Sequence, residues 1–308
     1  MTQTIRILSL LLALAALPAA AATPEPGNLH LASVHAVVMD LESGRTLYRK
    51  HADVEVPIAS VTKLMTALVV MESGQSLDEW LTIVDWDLDL TKNAYSRLRI
   101  GSEAQRGELL RIALMSSENL ATNVLASHHP GGFTGFVAAM NARAQALGMT
   151  RSTFVDPAGL SPDNRSSADD LARLVKAAYD IEDLGRLTTG YQHTARFRNP
   201  RYSLPYGNTN PLVASSRWSP ELTKTGYLTE AGRCLVMVTR VDERPVAMVL
   251  LNSFGSRTPL GDAGRIRRWL TTGEGGTVAG AARDYERQGV QALLQPAGPA
   301  AAAQPTAR

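Results

Sequence analysis

The order of hydrophobic patterns along the chain is the feature that most constrains its fold. Short β-rich segments open and close the sequence, and helical periodicity fills the middle. The opening segments, 34–40 and 46–48, are joined by a glycine-containing turn typical of a hairpin. The closing segments are 222–228, 234–241 and 246–251. The sequence therefore predicts an α+β domain, with an antiparallel sheet built from both chain ends and a mostly helical middle region.

Helical spacing of apolar residues defines the middle region. It predicts helices from 60 to about 71, from about 106 to 115, and from 119 to the His128-His129 pair. A further amphipathic helix over 136–147 ends at Gly148, Ser167 is placed to cap the next, and a last helix is predicted over 263–270. No internal repeat is visible, so we expect one domain rather than a stack of repeated units.

Both termini are expected to lie outside this domain. Arg6 precedes an apolar stretch at 7–17, and Ala20-Ala21-Ala22 supplies small residues for cleavage, a pattern typical of a signal peptide over 1–22. After Thr272 the composition changes to Gly, Ala, Gln and Pro. This predicts a mostly disordered tail over 273–308, with only a weak helix at 279–294. The main domain is therefore predicted over 23–272, in an exported protein without a transmembrane anchor or a lipid anchor.

Charge and cysteine content exclude several function classes. The formal net charge is only +2 and no run of like charges stands out, so nucleic acid is not an expected partner. Cys234 is the single cysteine and lies in an apolar run, which predicts a core residue and no intrachain disulfide.

Adjacent histidines point in opposite directions, so His128 and His129 do not predict a metal site. Tyr206-Gly207-Asn208 is interpreted as a turn.

Ser60-Val61-Thr62-Lys63 stands at the predicted start of a helix. A spacing of three residues places two side chains on one helix face, about 5–6 Å apart at Cβ. A serine hydroxyl is a weak nucleophile that needs a base, and a lysine amine serves as one only where its pKa is lowered. Backbone N–H groups at a helix start also suit a developing oxyanion. An N-cap serine beside an exposed lysine would give the same pattern, so this motif needs support from elsewhere.

Two further motifs supply that support. Ser117-Glu118-Asn119 falls between two predicted helices, where a hydroxyl and an amide can project from a turn. Lys224-Thr225-Gly226 lies on a predicted strand, and its glycine allows another backbone to approach closely. The chain has five lysines, and the motifs Ser-x-x-Lys and Lys-Thr-Gly use two of them. Coincidence is a poor explanation for three such motifs in this order.

The ordered motifs resemble those of the penicillin-binding proteins and serine β-lactamases. The surrounding sequence is similar to the serine D-alanyl-D-alanine carboxypeptidase/endopeptidase family of low-molecular-weight penicillin-binding proteins. Within that family, the chain resembles the periplasmic endopeptidases of the penicillin-binding protein 7/8 type. The resemblance covers about 34–272 and is carried by 57–67, 114–119, 148–160, 222–227 and 231–237. It implies the fold shared by serine β-lactamases and penicillin-binding transpeptidases, without the added β domain and amphipathic C-terminal helix of anchored carboxypeptidases.

The resemblance also implies roles for the motif residues. Ser60 attacks a D-alanyl carbonyl and forms an acyl-enzyme, and Lys63 takes its proton. Ser117, held near Lys63, relays a proton to the leaving amine. Lys224 contributes positive charge that helps to lower the pKa of Lys63. The implied substrate-binding residues are Asn119, Lys224, Thr225 and Gly226, and the implied oxyanion hole consists of the backbone N–H groups of Ser60 and Tyr227.

The implied partners are peptidoglycan peptide stems, with β-lactams as covalent inhibitors and no cofactor or metal. A class A β-lactamase would need a glutamate in a Glu-x-x-Leu-Asn context, which the sequence lacks, so penicillin is expected to acylate Ser60 and stay bound.

Three functions follow from the resemblance, all placed in the periplasm, with the protein soluble or loosely associated with wall or membrane. The first, favoured by overall similarity, is an endopeptidase that cleaves D-alanyl cross-links. The second is a carboxypeptidase that removes terminal D-alanine with the same groups and a different leaving-group side of the cleft. The third is a non-catalytic sensor or scaffold, which would have no need of Lys63 or Ser117.

Overall fold

A computed structural model describes residues 24–86 and 95–294 of the 308-residue chain. The expected signal peptide at 1–22 and the final part of the expected tail, 295–308, lie outside the described residues. The described strands are β1 His35–Asp40, β2 Thr46–Lys50, β3 Val56–Pro57, β4 Trp80–Thr82, β5 Glu103–Gln105, β6 Arg165–Ser166, β7 Gln192–Phe197, β8 Tyr202–Gly207, β9 Leu222–Leu228, β10 Gly232–Val241 and β11 Arg244–Ser253. The helices are α1 Lys63–Glu72, α2 Arg106–Met115, α3 Asn119–Ser127, α4 Gly132–Ala146, α5 Ala168–Tyr179, α6 Glu182–Thr189, α7 Thr258–Thr272 and α8 Gly280–Leu294.

The central sheet has five strands in the order β2-β1-β11-β10-β9, and every neighbouring pair is antiparallel. Strand β1, from the start of the chain, pairs with β11, from its end, with Ala36 opposite Leu250. This confirms the predicted sheet built from both chain ends. Strand β9 carries Lys224 and Gly226 and is an edge strand of this sheet. One of its edges pairs with β10, and the other edge has no strand partner in this sheet among the described residues.

The two faces of the sheet are buried in different cores. Val37, Val236 and Val249 face the core shared with the helical middle region. Residues of the opposite parity, including Met237, face the core beneath α7, where Trp269 is fully buried. Because successive strand residues point to opposite faces, near-continuous apolar runs indicate a sheet covered on both sides.

The predicted helices are present, but α4 and α7 begin earlier than predicted, at Gly132 and Thr258, and α6 was not predicted. The helix expected from Ser60 begins instead as a 3₁₀ turn, Ala59–Thr62, and becomes α1 at Lys63. The short strands of the middle region, including the β7–β8 hairpin, were not predicted from the sequence. Ser167 caps α5 by accepting a hydrogen bond from the backbone N–H of Asp170, as the sequence indicated.

The segment predicted as a weak helix within the tail is α8, and it packs against the sheet. The hydroxyl of Tyr285 donates to Asn252 Oδ1 at 2.6 Å, and Glu286 forms an ion pair with Lys50 at 2.8 Å. A Cβ on Gly289 would lie 2.6 Å from a methyl group of Val34, so the helix backbone sits directly on this residue. Among the described helices, none is both long enough and apolar enough to cross a bilayer.

Candidate active site

Ser60 lies in the 3₁₀ turn that leads into α1. The preceding residue, Ala59, has φ of +50°, a left-handed conformation uncommon for residues other than glycine. A Cβ on Gly159 would overlap the carbonyl oxygen of Ala59, and a Cβ on Gly226 would lie 3.1 Å from the backbone nitrogen of Ser60. Two neighbouring segments therefore pass the turn as closely as glycine permits. The prediction that the glycine of Lys-Thr-Gly allows close backbone approach is confirmed.

Lys63 is fully buried beneath Ser60. Its Nζ atom lies 2.9 Å from Ser60 Oγ, 2.7 Å from Asn119 Oδ1 and 2.6 Å from the carbonyl oxygen of Ala158. Burial penalises the charged ammonium and lowers the pKa of Lys63 to about 7, although the carboxylates of Asp156 and Glu118 act in the opposite direction. An amine in this position exists partly in its neutral form at neutral pH and can accept the proton of Ser60.

Lys224 and Ser117 form the second pair of the site. Ser117 lies in the turn between α2 and α3 with φ of +60°, and its hydroxyl lies 3.0 Å from the Nζ atom of Lys224. That amine also donates to the carbonyl oxygen of Thr225 at 2.8 Å. Burial, and next repulsion from Lys63, hold the pKa of Lys224 well below its ordinary value. A left-handed serine between two helices is a strained arrangement of the kind that clusters at functional sites.

The structure adds detail to two of the roles that the resemblance implied. Ser117, expected near Lys63, accepts a hydrogen bond from Lys224. Burial is the chief cause of the lowered pKa of Lys63, for which the expectation gave the charge of Lys224 as a contributing influence. Repulsion between two buried amines belongs to the pair, so it disfavours the state in which both are charged without singling out one of them.

Asp156 organises the loop that faces Lys63, a function not assigned from the sequence. Its buried carboxylate accepts hydrogen bonds from the backbone N–H groups of Ala158, Gly159, Leu160 and Ser161 and from the side chain of Asn164. The loop presents the Pro157 carbonyl to Thr66 Oγ1 at 2.6 Å and the Ala158 carbonyl to Lys63. Asp156 thereby fixes one of the three acceptors around the buried amine.

Thr225 and Tyr227 lie on the side of β9 opposite to Lys224 and Gly226. The hydroxyl of Thr225 donates to Thr209 Oγ1 at 2.7 Å, and the backbone N–H of Thr209 donates to the Met115 carbonyl at 2.9 Å. These bonds connect the edge of β9 to the end of α2. Tyr227 is 52% exposed. Its backbone follows Gly226 directly, so the oxyanion role expected for its N–H stays a prediction.

The motif residues open onto one cleft of about 1440 Å³. Its walls include Ser60, Ser117, Asn119, Thr225, Gly226 and Tyr227, together with Tyr95, Val155 and Leu160 from the facing loops. The structure thus brings together three motifs that lie more than 50 residues apart in the sequence, with Lys63 and Lys224 buried immediately behind the cleft.

Other residues considered in the sequence lie elsewhere. His128 caps the end of α3, and His129 packs edge-on against Phe136. In the described residues, no three His, Cys, Asp or Glu side chains cluster in a way that would hold a metal ion. Burial raises the pKa of Cys234 to about 11, which keeps its thiol protonated and confirms a core residue rather than a nucleophile. Asn208 braces the fold by donating to the carbonyls of Thr188 and Gly190.

The α+β fold and this Ser-Lys, Ser-x-Asn and Lys-Thr-Gly arrangement define the class of penicillin-binding serine peptidases. Comparison with known proteins agrees. The chain belongs to the D-alanyl-D-alanine carboxypeptidase family, peptidase family S11, whose sequence model matches residues 19–255.

The relatives and solved structures that resemble the chain support this assignment. It is 43% identical to a D-alanyl-D-alanine endopeptidase of Pseudomonas aeruginosa, covering 93% of this chain and 94% of that protein. It is 44% identical to a D-alanyl-D-alanine endopeptidase of Escherichia coli, covering 87% and 86%. The Streptomyces K15 DD-transpeptidase superposes with a TM-score of 0.73 at 26% identity, covering 79% of this chain and 98% of that chain. Ampicillin-bound penicillin-binding protein D2 of Listeria monocytogenes gives a TM-score of 0.68 at 28% identity, covering 80% and 99%.

Proposed function

We propose that the protein is a serine DD-endopeptidase that hydrolyses D-alanyl cross-links of peptidoglycan through an acyl-enzyme on Ser60. The observation that carries this proposal is the 2.9 Å contact between Ser60 Oγ and the buried Nζ atom of Lys63. A non-catalytic binder would have no need of an amine held next to a hydroxyl with its pKa lowered to about 7. The two endopeptidase relatives favour cleavage of cross-links over removal of terminal D-alanine.

Acylation begins when Lys63 accepts the proton of Ser60 and Ser60 Oγ attacks the D-alanyl carbonyl carbon. The oxygen of the tetrahedral intermediate is stabilised by the backbone N–H groups of Ser60 and Tyr227, each worth about 3 kcal/mol in better-studied sites. The scissile C–N bond then breaks and the leaving amine takes a proton through Ser117. Water completes the reaction by attacking the acyl-enzyme, which releases the peptide acid and returns the proton to Ser60.

Substrate binding is assigned to the open edge of β9 and to the turn before α3. Asn119 holds the substrate amide, and the backbone around Thr225 pairs with the extended peptide, as an added strand does at a sheet edge. Lys224 supplies positive charge towards the substrate, and Gly226 keeps β9 close to Ser60. Penicillin is proposed to acylate the same serine.

The working compartment is proposed to be the periplasm, where cross-linked peptidoglycan is accessible. The apolar segment at 7–17 followed by small residues supports export. No cofactor is included in the proposed mechanism, because the base, the nucleophile and the oxyanion donors all come from the protein chain.

Digestion of two muropeptides side by side tests the proposal. We expect the purified protein to convert a D-alanyl cross-linked dimer to monomers faster than it removes D-alanine from a monomeric pentapeptide. The Ser60→Ala variant is the control and should cleave neither. Loss of D-alanine from the pentapeptide with the dimer untouched would make the protein a carboxypeptidase. A covalent penicillin adduct without hydrolysis of either substrate would indicate a sensor or scaffold.

A further inference from the structure

The cleft extends beyond the nucleophile onto a second surface. Lys224 and Gly226 point from β9 towards Ser117 and Ser60, so Thr225 and Tyr227 point to the opposite face of the sheet. On that face the cleft walls include Arg233 and Leu235 of β10 and Ser256, Pro259 and Leu260 near the start of α7. A peptide bound along the β9 edge therefore reaches an additional surface on the α7 side, which the acylation chemistry does not use.

Arg233 is the cationic residue of this surface. It lies directly opposite Tyr227 in the β9–β10 pairing, and its guanidinium carbon is 3.9 Å from the centre of the Tyr227 ring. Stacking on an aromatic ring orients a guanidinium group and leaves the N–H groups at its edge available as hydrogen-bond donors. Because the arginine is half-buried and already stacked, it loses less conformational freedom on binding than a fully exposed arginine does.

Arg233 lacks the carboxylate partner that several other arginines of the fold have. Arg165, Arg198 and Arg240 each pair with a glutamate within 3.0 Å. Within 24–86 and 95–294, Arg233 makes neither an ion pair nor a side-chain hydrogen bond. Glu230, at the turn between β9 and β10, lines the same part of the cleft without reaching Arg233. The guanidinium thus faces the cleft with its donors unused.

We propose that Arg233, stacked on Tyr227, is a subsite for a carboxylate of the peptide stem at a position remote from the scissile bond. This inference rests on the proposed function and adds the chemical group that is recognised. A carboxylate matches the planar fork of a guanidinium and accepts two parallel hydrogen bonds. The cleft exceeds the roughly 300–1,000 Å³ of typical small-molecule pockets, which suits a peptide longer than a terminal dipeptide.

Two cross-linked muropeptide dimers of the same length provide the test. In one dimer the stem carboxylates remote from the scissile bond are free, and in the other they are amidated. We expect the wild-type protein to hydrolyse the free acid with a kcat/KM about tenfold higher, mainly through a lower KM, as one charge-assisted interaction would give. The preference should fall below twofold in Arg233→Gln. It should fall equally in Arg233→Met, which retains packing against Tyr227 and serves if the glutamine variant does not fold.

Arg45→Gln is the matched control, because Arg45 is exposed in the turn between β1 and β2, away from the cleft. It should keep the wild-type preference. Equal hydrolysis of both dimers by the wild-type protein would overturn the subsite while leaving the proposed function intact, as would an unchanged preference in both Arg233 variants. Failure of the wild-type protein to hydrolyse either dimer would instead contradict the proposed function itself.

Discussion

Lys63 and Asn119, which belong to different helices and lie 56 positions apart, meet at 2.7 Å between the lysine Nζ and the amide oxygen. This contact connects the start of α1, directly after the 3₁₀ turn Ala59–Thr62, to the start of α3. With the bonds to Ser60 and Ala158, it gives the buried amine three oxygen acceptors. The contacts persist when the amine is neutral, because it then donates to Asn119 Oδ1 and the Ala158 carbonyl and its lone pair accepts from the Ser60 hydroxyl.

The pH dependence of acylation should follow the neutral form of Lys63. Because the pKa of its amine is lowered to about 7, the neutral fraction rises as the pH increases through 7. The second-order rate constant for benzylpenicillin acylation should therefore increase about tenfold per pH unit below 7 and level off above it. Stopped-flow measurements between pH 5 and 9 would check this. A rate that is flat across the range, or that falls as pH rises, would argue against Lys63 as the base.

Lys63→Met should abolish most of the acylation and yet stabilise the fold. Removing a general base costs about 10²–10⁴-fold in rate. The pKa of Lys63 is about 7 in the folded protein and 10.5 in the unfolded chain, so between these pH values only the unfolded chain keeps Lys63 protonated. The free energy of unfolding of the wild-type protein therefore rises with pH across this range, and burial of Lys63 opposes folding most strongly below pH 7. At pH 6 the free energy of unfolding of the variant should exceed that of the wild-type protein by about 1–4 kcal/mol, and this difference should shrink towards pH 10. Urea unfolding at both pH values measures it, and a difference that grows with pH would contradict the account.

Gly226→Ala should move β9 away from the 3₁₀ turn that carries Ser60. The added Cβ would lie 3.0 Å from the Ile58 carbonyl oxygen and 3.1 Å from the Ser60 nitrogen, distances that require the backbone to shift. We expect a loss of about 10-fold or more in acylation rate and about 1–3 kcal/mol in stability. Gly264→Ala is the matched control, since nothing lies within 4 Å of its added Cβ and helices favour alanine. Equal acylation rates in the two variants would show that the close approach has no effect.

Asp156→Asn should weaken the loop that holds the Ala158 carbonyl against Lys63. The amide can accept fewer hydrogen bonds from the backbone N–H groups than the carboxylate does, so the free energy of unfolding should fall by about 1–3 kcal/mol. Loss of the negative charge also removes an influence that raises the pKa of Lys63, so the acid limb of the acylation profile should move to lower pH. Asp40→Asn, at the distant β1–β2 turn, should leave the pH dependence of the acylation rate unchanged. If the pH dependence is also unchanged in Asp156→Asn, the role of Asp156 is structural only.

The sequence predicted the features that depend on local chemistry. The five-stranded sheet follows from apolar runs at both chain ends, and the cap at Ser167 follows from residue type and position. The three motifs were found because a serine, lysine or glycine at a given spacing has a chemical meaning before any fold is known. Gly226 shows this most directly, since the need for close backbone approach was predicted and the structure supplies the neighbouring turn.

The features missed from the sequence depend on backbone conformation and strand register, which residue types alone do not report. Asp156 acts through the backbone N–H groups of its own loop, which carry no side-chain signal. The hydrogen bond between Lys224 and Ser117 depends on the left-handed turn before α3, which sets the direction of the Ser117 hydroxyl, and no residue pattern reports that angle. Arg233 gains its position from pairing with Tyr227 across two strands, which depends on their register.

The most direct test of the central claim is the mass of the protein after incubation with benzylpenicillin, followed by mapping of the modified peptide. We expect one covalent penicillin per molecule, attached to Ser60, with no adduct on Ser60→Ala and a much slower adduct on Lys63→Met. An adduct on any other residue, or one that persists in Ser60→Ala, would contradict it.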